Sequence, residues 1–284
     1  MSSQSQAFYD LRDFLKFRLS KQGARNGTPR KIADICDVER DWLAARVFSE
    51  YGSIFATDIT VEMPPKCIFV SSAEVTDFQK TLKVEAVTIA GVEIELQHTA
   101  AKALAAAVEE AESMDLKITP LDGVIAGRRN YADTLRIWNS RFVPALNYWM
   151  SKKKITEAEV ASVIKLPLRE QISKVVEWES RGYFFSTGFS KSIFNSVAPP
   201  GTSQHLSLLA FDVVEAQNPA IRRILNAHGW FQTIKTDEPH FSYLGVAETE
   251  LPKRGLIRFV RGGLVYWVPS VSKSSPPATN SLLN

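Results

Sequence analysis

Three residues in this chain have the types and surroundings to hold a divalent metal: His205, Asp212 and His240. His205 follows the loop Pro199-Pro200-Gly201 and precedes the apolar stretch 206–214. Asp212 lies inside that stretch, where an ionised carboxylate is costly unless a cation or a metal partners it. A salt-bridged carboxylate at a strand end would also account for it. His240 stands in Thr236-Asp-Glu-Pro-His-Phe-Ser-Tyr243, with two acids before it and an apolar segment after it. Taken alone, a histidine at a strand start is commonly structural. Two histidines and an aspartate leave a fourth tetrahedral position open for water, the pattern of a catalytic rather than a structural zinc site. Zinc lowers the pKa of a water it holds to about 7. A nearby carboxylate must then take the proton and pass it to the departing amine. The remaining histidines have no acid at a telling spacing: His98 opens a helical stretch, and His228 sits before Gly229, where the helix dipole accounts for it.

The flanks of these residues match a known pattern. The segment Ser203-Gln-His-Leu-Ser-Leu-Leu-Ala-Phe-Asp212 resembles the Ser-x-His-x-x-Gly-x-Ala-x-Asp signature of the VanY-type D-alanyl-D-alanine carboxypeptidases and the related endolysin peptidases. The segment Asp237-Glu-Pro-His-Phe-Ser-Tyr243 resembles the family's second motif, an acid followed by His-Phe/Tyr-x-Tyr. The resemblance implies that His205, Asp212 and His240 bind zinc. It places the catalytic base at Asp237, with Glu238 as the alternative. The upstream Gly127-Arg-Arg-Asn-Tyr-Ala-Asp133 resembles Ser-Gly-Tyr-Arg-Ser, which puts Arg129 where the family's arginine meets the substrate or the developing oxyanion. A planar guanidinium suits either role; an exposed arginine at a helix start is the other reading. Ser203 occupies the position of a serine that hydrogen-bonds substrate.

The resemblance covers roughly residues 91–270. Leu208 stands in place of the glycine, Pro239 in place of the frequent tryptophan and Thr134 in place of the common glutamine. What it implies is zinc-dependent cleavage of peptidoglycan stem peptides, of the D-alanyl-D-alanine carboxypeptidase kind, in the cell envelope or periplasm. An L-alanyl-D-glutamate endopeptidase and a non-catalytic, zinc-containing wall-peptide-binding module are the alternatives.

Composition sets the frame for these residues. The chain has 284 residues, 45% apolar and 23% charged, which is enough to bury a core without disulfide staples. A net charge of +3 from 34 basic and 31 acidic residues, with no basic stripe, argues against a nucleic-acid partner. No apolar run is long enough to span a membrane. Charges interrupt the apolar residues of the N-terminus, so it does not read as a targeting signal. The two cysteines, Cys36 and Cys67, form no Cys-x-x-Cys pair, which excludes a thiolate zinc site. They could equally be paired or free.

The elements that must position the site follow from periodicity. Residues 1–30 read as a loosely held polar arm. Helices are expected over 41–55, 73–82, 99–114, 131–150 (kinked at Pro144), 156–164, 168–181 and 219–227, the last with Asn218 as its N-cap and Pro219 at its first position. Strands are expected at 67–70, 116–119, 206–214, 231–234 and 241–244. Hairpins are expected at 84–96, turning at Gly91, and at 256–268, turning at Gly262-Gly263. The tail from 271 is Ser/Pro/Asn-rich and reads as disordered. The mixed order gives an α+β fold: a small antiparallel sheet flanked by helices, a helical insert at about 135–195, and a mixed region, 1–90, with no assigned role.

Overall fold

In the computed structural model the chain is described over residues 7–26 and 30–271. It is an α+β protein with small antiparallel sheets. The helices are α1 (Leu11–Asn26), α2 (Ile32–Ile35), α3 (Trp42–Tyr51), α4 (Ser72–Lys80), α5 (His98–Ser113), α6 (Tyr131–Ser151), α7 (Glu157–Val163), α8 (Leu168–Ser180) and α9 (Pro219–Ala227). Strands β1 (Val84–Ile89) and β2 (Val92–Gln97) form one hairpin. Strands β6 (Leu256–Arg261) and β7 (Leu264–Pro269) form another. Both hairpins turn through two residues at positive φ, Ala90-Gly91 and Gly262-Gly263, as the right-handed strand twist requires. The sheet that matters for the site has three strands in the order β3 (Ala210–Asp212), β5 (His240–Tyr243), β4 (Trp230–Gln232).

The N-terminal segment is not the loose arm its composition suggests. Leu11, Phe14, Leu15, Arg18 and Leu19 are all buried. Their spacing is that of one helix face, and packing that face against the core is what orders α1. The polar residues between them lie on the other face and mask the period. No carboxylate among the described residues bonds the buried Arg18. Its guanidinium donates instead to the carbonyl of Thr57, to Thr57 Oγ1 (2.8 Å) and to Asp58 O (3.1 Å), tying down the chain after the 3₁₀ turn Gly52–Ala56. One continuous core then joins Leu11, Phe48 and Phe55 to Leu104, Phe211 and Trp230.

Three expected strands are shortened, each for a local reason. Residues 67–70 pair with no strand among the described residues; Cys67 N bonds Ile35 O and Phe69 N bonds Gly201 O, both at 2.9 Å. Around 116–119 the described residues form one bridge, Pro120 to Val213, made by Leu121 N to Asp212 O and Val214 N to Thr119 O, and Thr119 N donates to the side chain of Glu215 rather than to a strand. The stretch 206–214 is split: Gln204–Ser207 is a 3₁₀ turn, Leu208 takes φ +57°, and β3 begins only at Ala210. A left-handed leucine costs roughly 1–2 kcal/mol. Burial of its side chain against Phe69, Val75 and Phe78 offsets that cost. Pro144 lies inside α6, which runs through it as one helix. The tail beyond 271 lies outside the described residues.

The loop before His205 is held from three sides. A Cβ on Gly201 would lie 1.9 Å from Phe69 O, so no other residue fits there. Thr134 Oγ1 accepts from Gly201 N at 3.2 Å. Cys36 and Cys67 form a disulfide closing 31 residues, which anchors the strip that contacts Gly201. Cross-linking a loop of that length restricts the unfolded chain by roughly 3–4 kcal/mol. Replacing both cysteines by serine should lower unfolding stability by about 2–4 kcal/mol, checked by urea titration of the variant beside the oxidised parent.

Candidate metal centre

Asp212 and His240 are cross-strand partners in the β3–β5 ladder, which sets their side chains side by side. His205 reaches the same point from the 3₁₀ turn, and the left-handed Leu208 lets the chain turn between it and β3. Three atoms meet there. His240 Nδ1 lies 3.1 Å from Asp212 Oδ1, His205 Nε2 lies 3.2 Å from the same oxygen, and the two nitrogens are 3.2 Å apart. Ligands about 2.0–2.1 Å from a tetrahedral zinc stand about 3.3–3.4 Å from one another. The triangle is therefore close to the size such an ion requires. All three residues are buried and together could hold a metal ion.

The hydrogen bonds around the triangle decide what it contains. His205 Nδ1 is 2.8 Å from the carbonyl of Gly127, which can only accept, so the ring proton sits on Nδ1 and Nε2 carries a lone pair. His240 Nε2 is 2.9 Å from Gln204 Oε1, so its Nδ1 likewise presents a lone pair. Burial first, then the positive charge of Arg129, pushes the His205 pKa down to about 4, and the ring is neutral at neutral pH. Asp212 Oδ2 pairs with the guanidinium of Arg129, so Oδ1 faces the histidines as a carboxylate oxygen. Three electron-rich atoms thus face one point with no hydrogen between them. That arrangement is repulsive on its own and favourable around a cation, so the residues fit a divalent metal.

The upstream motif supports this triangle. Gly127 offers the carbonyl that orients His205, and it packs so closely on β2 that a Cβ would lie 2.6 Å from Ile94. Arg129 donates from Nη2 to Asp212 Oδ2 and from Nε to Ile125 O at 3.0 Å. It thereby leaves Oδ1 free to face the histidines. Arg128 points elsewhere, to Gln79 Oε1 and Glu95 Oε2. The sequence gives no role to the Gly127 carbonyl or to Gln204; their place beside the motif residues is the only signal of one.

A cleft opens over the triangle, lined by Arg129, Ser203, His205, Asp237 and His240 and walled by Tyr51 and Phe194. Asp237 is exposed by surface area yet hemmed in by the cleft walls. That crowding, and then the charge of Asp212, raises its pKa to about 6 against the pull of His240 and Arg129. Glu238 is not part of the cleft lining; its charge acts on Arg222 and Tyr266. The segment carrying Phe194 follows α8 and is shaped by the buried Glu179, which accepts from Phe185 N and Ile193 N. Tyr51 closes the wall by donating to Phe194 O at 3.0 Å.

These shifts give the metal-free chain a defined pH response. His205 refuses until about 4 a proton that the unfolded chain takes up below its ordinary 6.5, so stability is lost as pH falls through that window. Asp237 opposes it: its carboxyl keeps a proton up to about 6 that the unfolded chain releases near 3.8, so stability falls as pH rises there. Asp237→Asn should therefore steepen the loss on acidification from pH 6.5 to 4. At pH 7 it should stabilise the metal-free chain by no more than about 1 kcal/mol, since the carboxyl is open to screening solvent. Urea midpoints across this pH range check both outcomes.

Compared with known proteins, the chain matches no family model and no curated sequence. Its function has to be read from the geometry of this centre.

Proposed function

We propose that this chain is a zinc-dependent peptidase acting on peptidoglycan stem peptides. The observation that carries the reading is the triangle of three unprotonated ligand atoms, His205 Nε2, Asp212 Oδ1 and His240 Nδ1, whose two histidines line a cleft that also holds the Asp237 carboxylate. Three protein ligands leave a fourth position, the arrangement of a catalytic zinc. Bound there, zinc supplies Lewis acidity, polarising the scissile carbonyl and lowering the pKa of the attacking water. Asp237 accepts the proton from that water at a carboxylate oxygen and returns it to the departing amine nitrogen. A carboxyl raised toward 6 is a stronger base than an ordinary one and suits both transfers. Arg129 holds Asp212 in its ligating orientation and brings positive charge toward the forming oxyanion. Ser203 lines the cleft within reach of a bound peptide.

Two features favour parts of this reading. Leu208 adopts the left-handed conformation that a glycine would prefer, which suits the position where the VanY-type signature carries glycine. The Cys36–Cys67 disulfide suits an oxidising compartment such as the cell envelope. Another observation favours the endopeptidase over the carboxypeptidase. Among the described residues lining the cleft, Arg129 is the only arginine or lysine, and Asp212 already engages it. A terminal carboxylate would find no free cation there, whereas an internal peptide bond needs none.

Defined muropeptides incubated with and without a chelator, and read by mass spectrometry, test the activity and locate the cut bond. Cleavage that survives the chelator, or none by the zinc-loaded chain, would sink the proposal. Asp237→Asn should keep its zinc and lose activity about 100-fold or more, while Glu238→Gln stays close to the parent. A dead Glu238→Gln beside an active Asp237→Asn would exchange the two roles. Arg129→Lys should retain the metal less tightly and lose activity roughly 100-fold on the scale of one lost oxyanion donor.

A further inference from the structure

Of the two histidines, His240 is the one whose orientation depends on a side chain rather than on the backbone. His205 is fixed by a carbonyl of the main chain, that of Gly127, but His240 Nε2 faces the amide oxygen of Gln204 at 2.9 Å. An amide has two ends of similar shape, one accepting and one donating. Which end meets the histidine decides which ring nitrogen keeps the proton. The amide of Gln204 is held from both ends. Its Nε2 donates to the backbone carbonyl of Tyr51 at 2.7 Å and to Ser53 Oγ at 3.0 Å. Its Oε1 accepts from Ser242 Oγ, which also contacts Thr233 Oγ1 at 2.7 Å. Tyr51 O cannot donate, so the nitrogen must point toward it and the oxygen toward His240. Gln204 is only 3% exposed, which keeps water from replacing either bond.

We infer that Gln204 is a positioning residue that selects the metal-binding tautomer of His240, relaying the fixed polarity of the Tyr51 carbonyl at the end of α3 to the ligand on β5. The inference rests on the metal reading of His205, Asp212 and His240. It gives the N-terminal third of the chain a task at the centre: Tyr51 O and Ser53 fix the amide, the amide fixes Nε2–H, and Nδ1 is left with its lone pair toward Asp212 Oδ1. Without the acceptor, the ring is free to carry its proton on Nδ1 and donate it to Asp212, only 3.1 Å away, which closes the site to a cation. An acceptor on the outer nitrogen also raises the donor strength of the inner one.

The test uses the full chain and zinc itself. Long-range proton–nitrogen correlation spectra of the metal-free protein report the tautomer of His240. Zinc affinity is measured by chelator competition, and thermal melting follows the fold. In the parent, His240 should carry its proton on Nε2. Gln204→Met, of similar length but with no acceptor, should shift His240 toward the Nδ1–H form and weaken zinc binding 10–100-fold. Gln204→Glu restores an acceptor facing Nε2 and should return zinc affinity to within a few-fold of the parent, even where its melting temperature falls, because its side chain can no longer donate to Tyr51 O. A purely structural role predicts the reverse, with both variants weakened in proportion to their loss of stability. An Nδ1–H tautomer for His240 in the parent overturns the inference even where Gln204→Met fails to fold. So does a Gln204→Met chain that binds zinc as tightly as the parent. A parent chain that binds no zinc removes the metal reading and this inference with it.

Discussion

Three lone pairs held 3.1–3.2 Å apart among buried residues repel one another, and the surrounding fold is arranged to prevent their escape. The ladder between β3 and β5 fixes two of them, because Asp212 and His240 are paired residues on antiparallel strands and cannot separate without breaking the sheet. Each ligand is then pinned on its far side. A backbone carbonyl takes the free proton of His205, a guanidinium takes the second oxygen of Asp212, and an amide oxygen takes the free proton of His240. Without these outer partners the cheapest response would be for a histidine to turn its proton inward to Asp212. With them, a cation is what best relieves the repulsion.

The outer partners come from parts of the chain far apart in sequence. Gly127 and Arg129 arrive on the segment between the β1–β2 hairpin and α6, while the support for Gln204 comes from Tyr51 and Ser53 at the end of α3. The N-terminal region therefore belongs to the same core as the centre it borders. Its contacts with the Gly201 loop, through Phe69 and the strip tied by the disulfide, bear on the turn that presents His205. The helices α6 to α8 serve the cleft in a different way. Trp138 and Phe142 of α6 and Trp178 of α8 stack in series through Phe185 of the loop that follows α8, and that packing carries the 193–198 segment to the cleft wall.

Arg129 illustrates how a motif residue can be found in the right place for an incomplete reason. Read from its type, it is a group for the substrate or the oxyanion. In the folded chain its nearest duty is to Asp212, and any help to an oxyanion is exerted from that fixed position. Asp237 and Glu238 show the converse. They are neighbours of the same type, and spacing alone cannot separate them. The turn that joins Asp237 N to Ile234 O sends the first into the cleft and leaves the second beside Arg222 and Tyr266.

The sequence by itself determined the residues capable of ligation, since only a few histidines exist and two of them stand beside acids and apolar segments. It determined the strong helices and both hairpins too, because periodicity and paired turn residues are local properties. It did not determine α1, whose buried face is readable only once a core exists to bury it. Nor did it determine that 206–214 would break at Leu208, since a leucine at positive φ is stabilised by neighbours from α4 and Phe69 rather than by its own preference. The pairing of Cys36 with Cys67 and the duty of Gln204 were likewise decided in three dimensions. A disulfide depends on the distance between two backbones, and an amide's direction depends on which carbonyl it meets. Spacing along a chain fixes neither quantity.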